Sequence, residues 1–416
     1  MNGIIEGFYG RPWSWAMRHE VLAHLSEAGM DTYLYAPKSD PLHRENWREP
    51  YGDLFLAEME ALTRALPMEI GFGVSPGLSI DPGDHDDRQA LLDKIITVVE
   101  RGISLVALLF DDLPPAPGLG ESHGQLAAWV IEQLPEELEI IVVPVHYTGW
   151  ERTPYLAALD ELLPADVLIG WTGRYVVNEA ISAEDAKAWR NAMGGRRPLL
   201  WDNTPVNDAF MTDRLFTGPL RGRDPLLPAE LGGYLANPMI QARASVPPLL
   251  SAAAWWRGDD PEVAWGEALG DARILAEGCD AVGLMALAER ALSGDDAAGS
   301  ALEEWLVEAS TCDDGGWGED VAPWVEQLRT EASVALMAMR ALRAERDEAR
   351  RLAAGLVLSW PQLRTAQISV LGGRGGVRPA FSQSADDGWI GSQSAFVPAA
   401  SITDRLVEAA FARLGA

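Results

Sequence analysis

Eight short apolar runs, each leading into a stretch with helical spacing or a polar loop, fill the chain from its N-terminus to about residue 258. They lie at 3–5, 32–36, 70–74, 105–110, 139–144, 166–172, 198–203 and 233–236. Each has the length of a strand rather than of a buried helix, and helical patterns near 15–28, 54–65 and 87–101 separate the first four. Eight such units in roughly 250 residues specify an α/β fold, a (β/α)8 TIM barrel, because parallel neighbours need a crossover helix and eight of them close the sheet. An open doubly wound sheet is the competing architecture, but no glycine-rich phosphate loop follows the first strand.

A barrel of this kind carries its active site at the C-terminal ends of the strands. The polar clusters there are Glu6-Gly7-Phe8-Tyr9-Gly10, Pro37-Lys38-Ser39-Asp40, Ser75-Pro76-Gly77, Asp111-Asp112, His146-Tyr147, Trp171-Thr172-Gly173, Trp201-Asp202-Asn203 and Asn237-Pro238. Chemically capable side chains at every strand end are what a barrel enzyme needs. Beyond Asp259-Asp260-Pro261 the pattern turns to amphipathic helices at 262–276, 281–292, 299–309 and 321–356, with Asp313-Asp314-Gly315-Gly316 as a loop between them. The expected organisation is a catalytic barrel at 1–258, a helical bundle at 259–356 and a loop-rich segment at 357–416. That last segment includes Leu371-Gly372-Gly373-Arg374-Gly375-Gly376 and closes with a helix near 401–414.

Asp111 and Asp112 end the fourth run, with Pro114 and Pro115 close behind. Successive strand residues face opposite ways, so two adjacent carboxylates share a cavity only where the strand ends and that constraint relaxes. Taken alone, such a pair is more often a loop cap with a solvated neighbour. Its chemical reading is general acid catalysis, in which one carboxylate raises the pKa of the other. Retaining glycosidases usually place their two carboxyls about 5 Å apart on opposite sides of the sugar. Adjacent residues suit substrate assistance instead, where the substrate's own 2-acetamido oxygen attacks.

Composition removes several classes. A net charge of -29 leaves nothing to neutralise nucleic acid phosphates or an anionic membrane, and it repels a polyanionic sugar such as hyaluronan. The two cysteines, Cys279 and Cys312, have neither zinc-ligand spacing nor the number for a disulfide framework, which favours a reducing compartment. With no signal-peptide pattern and no bilayer-length apolar stretch, a soluble cytoplasmic protein is expected. His19 and His24 are spaced wrongly for metal on one helix face. The acidic stretch 81–87 lacks the EF-hand order and reads as a loop and helix cap.

Six stretches, in order, carry a further resemblance. They are Gly3-Ile4-Ile5-Glu6-Gly7-Phe8-Tyr9-Gly10-Arg11-Pro12-Trp13, Tyr33-Leu34-Tyr35-Ala36-Pro37-Lys38, Trp47-Arg48-Glu49-Pro50-Tyr51, Leu108-Leu109-Phe110-Asp111-Asp112, Trp201-Asp202-Asn203-Thr204-Pro205-Val206-Asn207-Asp208 and Ala236-Asn237-Pro238-Met239. Together they resemble glycoside hydrolase family 84, the O-GlcNAcases and related bacterial β-N-acetylglucosaminidases, over residues 1 to about 256. The resemblance implies a retaining exo-β-N-acetylglucosaminidase acting through an oxazoline, with a GlcNAc-bearing glycoconjugate or glycoprotein as substrate and no metal or organic cofactor. Asp111 would orient the acetamido group and Asp112 would be the acid and then the base. Lys38, Asn203, Asp208 and Asn237 would bind sugar hydroxyls or the amide, Tyr147 and Trp201 would line the acetyl pocket, and the backbone at Gly7 would approach the sugar.

One departure stands beside Tyr147. The family commonly carries Thr-Glu there and this chain has Val145-His146, which predicts an altered pH profile. Two other readings remain open at this level: an endo-acting hyaluronidase or chitin-fragment hydrolase using the same aspartates, and a catalytically silent GlcNAc-binding protein. Peptide, muropeptide and chitobiose aglycones would all present the same terminal sugar. The apolar helices beyond 260 also suggest a homodimer.

Overall fold

In the computed structural model, which describes residues 1–114, 116–363, 368–372, 380–384, 388–392 and 400–414, the eight runs become eight parallel strands closed into one barrel. They are β1 (Asn2–Glu6), β2 (Thr32–Tyr35), β3 (Glu69–Val74), β4 (Leu105–Leu109), β5 (Glu139–Val143), β6 (Leu168–Trp171), β7 (Leu199–Asp202) and β8 (Gly233–Ala236). Neighbours pair in sequence order, and β8 closes on β1 through Asn2↔Tyr234, Gly3↔Leu235 and Ile4↔Ala236.

The period of two sorts the side chains. Ile5, Leu34, Leu105, Ala107, Leu109, Ile141, Val143, Leu199, Trp201 and Leu235 form one cluster drawn from strands all round the barrel, which is its interior. Residues of the other parity, among them Ile4, Tyr33, Phe72, Val106, Leu108 and Val142, join the layer between strands and helices.

That outer layer is built by α1 (Trp15–Glu27), α2 (Asp53–Ala65), α3 (His85–Val99), α4 (Leu119–Gln133), α5 (Pro154–Leu162), α6 (Ala183–Ala192) and α7 (Val246–Arg257). Side-chain caps fix where several begin. Ser14 accepts from the Met17 amide, Thr153 from that of Leu156, and Ser182 forms a reciprocal box with Asp185. The acidic stretch 81–87 is indeed a loop and cap: Asp84 accepts from the amides of Asp86 and Asp87, and Asp87 pairs with Arg48 at 2.6 Å.

Past Arg257 the chain is helical: α8 (Pro261–Ala268) packs against α7, and α9 (Arg273–Asp280), α10 (Val282–Leu292), α11 (Asp296–Ala309), α12 (Ala322–Arg343), α13 (Arg346–Leu363) and α14 (Ile402–Leu414) share a second core around Leu302, Leu306, Leu328, Ala335 and Leu406. Two expected helices are each divided. The first breaks where Gly270 turns to φ 49° between α8 and α9. The second breaks at Ala344, whose extended backbone separates α12 from α13 while the Arg413 guanidinium donates to the carbonyls of Ala341 and Ala344. Periodicity alone cannot see such a break, because the cap comes from another helix.

A two-stranded antiparallel ribbon, β9 (Ala380–Ser384) with β10 (Gly388–Ser392), interrupts the C-terminal segment. Pro115 and residues 373–376 of the glycine-rich stretch lie outside the described residues. Among the described residues no helix is long and apolar enough to cross a membrane.

Candidate active site

At the C-terminal mouth of the barrel a cavity of about 380 Å³ opens, lined by Gly7, Lys38, Asp111, Asp112, Tyr147, Trp201, Asn203, Asp208 and Asn237 among others. These nine are the residues singled out from the sequence, and they come from the ends of six different strands.

The two aspartates reach it together because the strand has ended. Phe110 still donates its amide to the Val143 carbonyl, but Asp112 sits at φ 58°, a left-handed conformation that aspartate tolerates better than most residues. Asp111 is buried, and its Oδ2 pairs with Lys38 Nζ at 2.5 Å. Its Oδ1 is buried with no hydrogen-bond partner. Asp112 is held by two phenols: Tyr147 donates to Oδ1 at 2.8 Å and Tyr9 to Oδ2 at 2.7 Å. The Arg44 guanidinium lies 4.0 Å from Oδ2.

These surroundings push the pair apart. Burial raises Asp111 above the ordinary carboxylate range, against the pull of Lys38 and with the push of Asp112. Burial acts on Asp112 too, but Lys38, the two phenol donors and Arg44 outweigh it and bring that group below its usual value. In the free site the negative charge therefore favours Asp112, and a remaining proton favours Asp111. As neighbours they titrate as a pair, and binding of a ligand that donates to Asp111 would reverse the preference.

Around them the strand ends form a hydrogen-bonded frame. Asn203 Oδ1 accepts from Trp201 Nε1 at 3.0 Å and from Asn237 Nδ2 at 2.9 Å, and Asn203 Nδ2 donates to the Val176 carbonyl at 2.8 Å. Asn237 Oδ1 accepts from the Gly7 amide at 3.2 Å. Each amide nitrogen keeps one hydrogen for a ligand. Asp208 accepts from the Tyr9 amide at 2.7 Å through Oδ2, and burial raises its pKa. Gly7 has to be glycine: a Cβ there would lie 2.4 Å from the Trp201 ring, so the ring occupies the space a side chain would need.

Other strand-end residues face elsewhere. Glu6 is fully buried and grips Arg18 of α1 and the Tyr33 hydroxyl. Asp202 holds Arg223 through two hydrogen bonds of 2.7 and 2.8 Å. Both have the outward parity, and each orients the inward neighbour that follows it, Gly7 and Asn203. Asp40 accepts from Tyr35 and Tyr51, Ser39 holds the Gly10 amide, and Asn207 ties the Arg214 carbonyl to Gln241. His146 also turns away: its Nδ1 shares a hydrogen bond with Thr153 Oγ1 at 2.8 Å and its ring tilts against Tyr155. Burial lowers its pKa.

Several residues of the site carried no usable sequence signal. Tyr9 lay inside a family-like stretch without an assigned role, Val176, Val177, Phe210 and Met211 line the cavity from beyond the strand ends, and Arg44 reaches the site from a polar loop through the Tyr9 hydroxyl. No group of three or more His, Cys, Asp or Glu side chains among the described residues is arranged to hold a metal ion.

The comparisons with known proteins agree with this geometry. Residues 2–280 match the model of a family described as beta-N-acetylglucosaminidase. The chain is 31% identical over 275 residues to Protein O-GlcNAcase of Rattus norvegicus and equally to that of Mus musculus, a match that takes in 62% of this chain and 30% of each relative. It therefore spans under a third of the length of those curated relatives. Among solved structures, a mutant of the Thermobaculum terrenum O-GlcNAc hydrolase superposes with a TM-score of 0.76 at 24% identity, covering 88% of this chain and 90% of that one, a likeness of fold. CpGH84B gives 0.77 at 25% identity, covering 89% and 74%. With the family match spanning well over half of its length and a barrel mouth that unites its paired aspartates, the chain belongs to the β-N-acetylglucosaminidases of glycoside hydrolase family 84.

Proposed function

We propose that the protein is a retaining exo-β-N-acetylglucosaminidase that removes terminal β-linked GlcNAc by substrate-assisted catalysis. The observation that carries this is the orphaned Asp111 Oδ1, a buried acceptor on the cavity wall whose natural partner is a donor supplied by the ligand. An acetamido N–H is such a donor. By accepting it, Asp111 keeps its negative charge and steers the acetamido oxygen toward the anomeric carbon.

The carbonyl oxygen bonds to the anomeric carbon as the glycosidic C–O bond breaks, and Asp112 gives its proton to the departing oxygen. The amide proton, held by Asp111, is shared as the oxazoline forms. A water then loses a proton to Asp112 and attacks the same face the leaving group left, which restores the amide and the β configuration. Tyr147, whose hydroxyl bonds Asp112 in the free site, is positioned to swing to the acetamido oxygen, and the Trp201 ring bounds the acetyl methyl. Asp208, Asn203, Asn237 and Lys38 meet the hydroxyls and amide. A cavity at the small end of the ligand-pocket range suits one terminal sugar and the start of its aglycone, which supports exo action.

O-linked GlcNAc on protein is the substrate class that the O-GlcNAcase relatives suggest. Both cysteines are free thiols, in keeping with a cytoplasmic setting, and the expected homodimer would give twice the chain mass by light scattering.

The test is hydrolysis of aryl β-GlcNAc substrates by wild type and by Asp112→Asn, each with a good and a poor phenolate leaving group. The expected result is a far larger loss on the poor leaving group, because only that one needs the proton. Equal losses on both would remove Asp112 as the acid, and binding without turnover by the wild type would leave a GlcNAc-binding protein.

A further inference from the structure

Asp112 is not held by the phenols alone. Arg44, itself buried on the loop after β2, donates from Nη1 to the Tyr9 hydroxyl at 2.8 Å. The same hydroxyl donates to Asp112 Oδ2 at 2.7 Å. A guanidinium has donors only, so the Tyr9 oxygen must accept from Arg44, and its single proton then points at Asp112. The direction of this relay is fixed by chemistry rather than by an assigned hydrogen. The Tyr9 amide is pinned by Asp208, and the guanidinium sits 5.9 Å from the Tyr9 ring centroid.

We infer that Arg44 is a positioning residue for the reaction, acting through Tyr9 to hold Asp112 as the carboxylate that receives and returns the catalytic proton. This rests on the substrate-assisted reading above. In that cycle Asp112 is neutral when it meets the substrate and charged once the leaving group has gone. A polarised phenol donor favours the charged form, so it strengthens Asp112 as an acid while weakening it as the base that activates water. The cost is a smaller protonated fraction at high pH.

Every charged or titratable group facing Asp112 bears on this. Lys38 and Arg44 come from the loop after β2, Asp111 from the end of β4, Tyr147 from the end of β5, Asp208 from beyond β7 and Tyr9 from beyond β1. Asp111 and Asp208 favour a neutral Asp112 and the others a charged one. Among the latter, Arg44 has the Tyr9 hydroxyl as its hydrogen-bonded link to the pair. Removing it leaves the Lys38–Asp111 contact untouched.

The experiment is the pH dependence of kcat/KM for an aryl β-GlcNAc with a poor leaving group, measured for wild type, Arg44→Gln, Tyr9→Phe, the double variant and Arg44→Lys. The alkaline limb reports loss of the last proton from the aspartate pair. Removing the cation that polarises the Tyr9 donor raises the pKa of the carboxylate, so the limb in Arg44→Gln moves to higher pH by about one unit. In the Tyr9→Phe background the same substitution moves it by less, because the hydroxyl link is already cut and only the direct charge 4.0 Å from Oδ2 remains. Arg44→Lys, which keeps charge and a donor, returns the limb most of the way to wild type. An unmoved limb in Arg44→Gln, or an equal shift in both backgrounds, overturns the relay. A wild type without turnover overturns the reaction it serves as well, so the two failures are told apart.

Discussion

Gly7 carries a role that its own backbone does not announce, since its conformation is one that any residue adopts. What excludes a side chain is the Trp201 ring in the space a Cβ would take. Gly7→Ala is therefore expected to push the ring into the sugar cavity, lowering kcat/KM at least about tenfold with a stability cost of about 1–3 kcal/mol. Steady-state kinetics with a thermal melt checks both, and wild-type kinetics would mean the ring has room to move. At this scale the sequence was legible where a residue's type and its strand-end position coincided with a known pattern, as for Asp111, Lys38 and Asn237. It was silent about Arg44, whose relevance comes from a hydroxyl contributed by a distant segment, and it marked His146 as a departure without showing that the ring faces Thr153. Alternation had said that neighbours diverge, without saying which of the two faces in.

Among elements, the most consequential tie is that between β1 and α1. Glu6 is fully buried, and Arg18 satisfies both of its oxygens at 2.7 and 2.8 Å while Tyr33 adds a third bond. Arg18→Met leaves that carboxylate buried without its counterion, so unfolding is expected to become easier by about 3–5 kcal/mol. Denaturant melts measure this, and a loss below about 1 kcal/mol would mean that the ion pair contributes little to the tie. Helix and strand identities were legible here because the periods of 3.6 and 2 are written in the apolar residues. The breaks at Gly270 and Ala344 were not, since one depends on a glycine turning to positive φ and the other on Arg413 of α14 reaching across.

The whole molecule responds to acid through its buried histidines. Burial brings His43 down to about 3 and His123 to about 4, and both stay neutral in the folded chain while the unfolded chain takes up protons near pH 6.5. Because the folded values are depressed, their contribution is complete above pH 6.5 and is lost as pH falls toward them, at about 1.4 kcal/mol per pH unit for each histidine. Melting temperature should therefore drop between pH 6.5 and 4, with a shallower slope in His123→Phe. An unchanged slope would assign the acid loss to carboxylates. The barrel itself was legible because eight repeats of one pattern leave few topologies, whereas residues 357–416 offered no repeat to count. A nucleophile supplied by the substrate's own acetamido oxygen makes the rate depend on that oxygen's electron density, which progressive fluorination of the N-acetyl group of an aryl β-GlcNAc withdraws. Under substrate assistance kcat/KM falls steeply with each added fluorine, whereas a kcat/KM indifferent to fluorination would rule the acetamido oxygen out as the nucleophile.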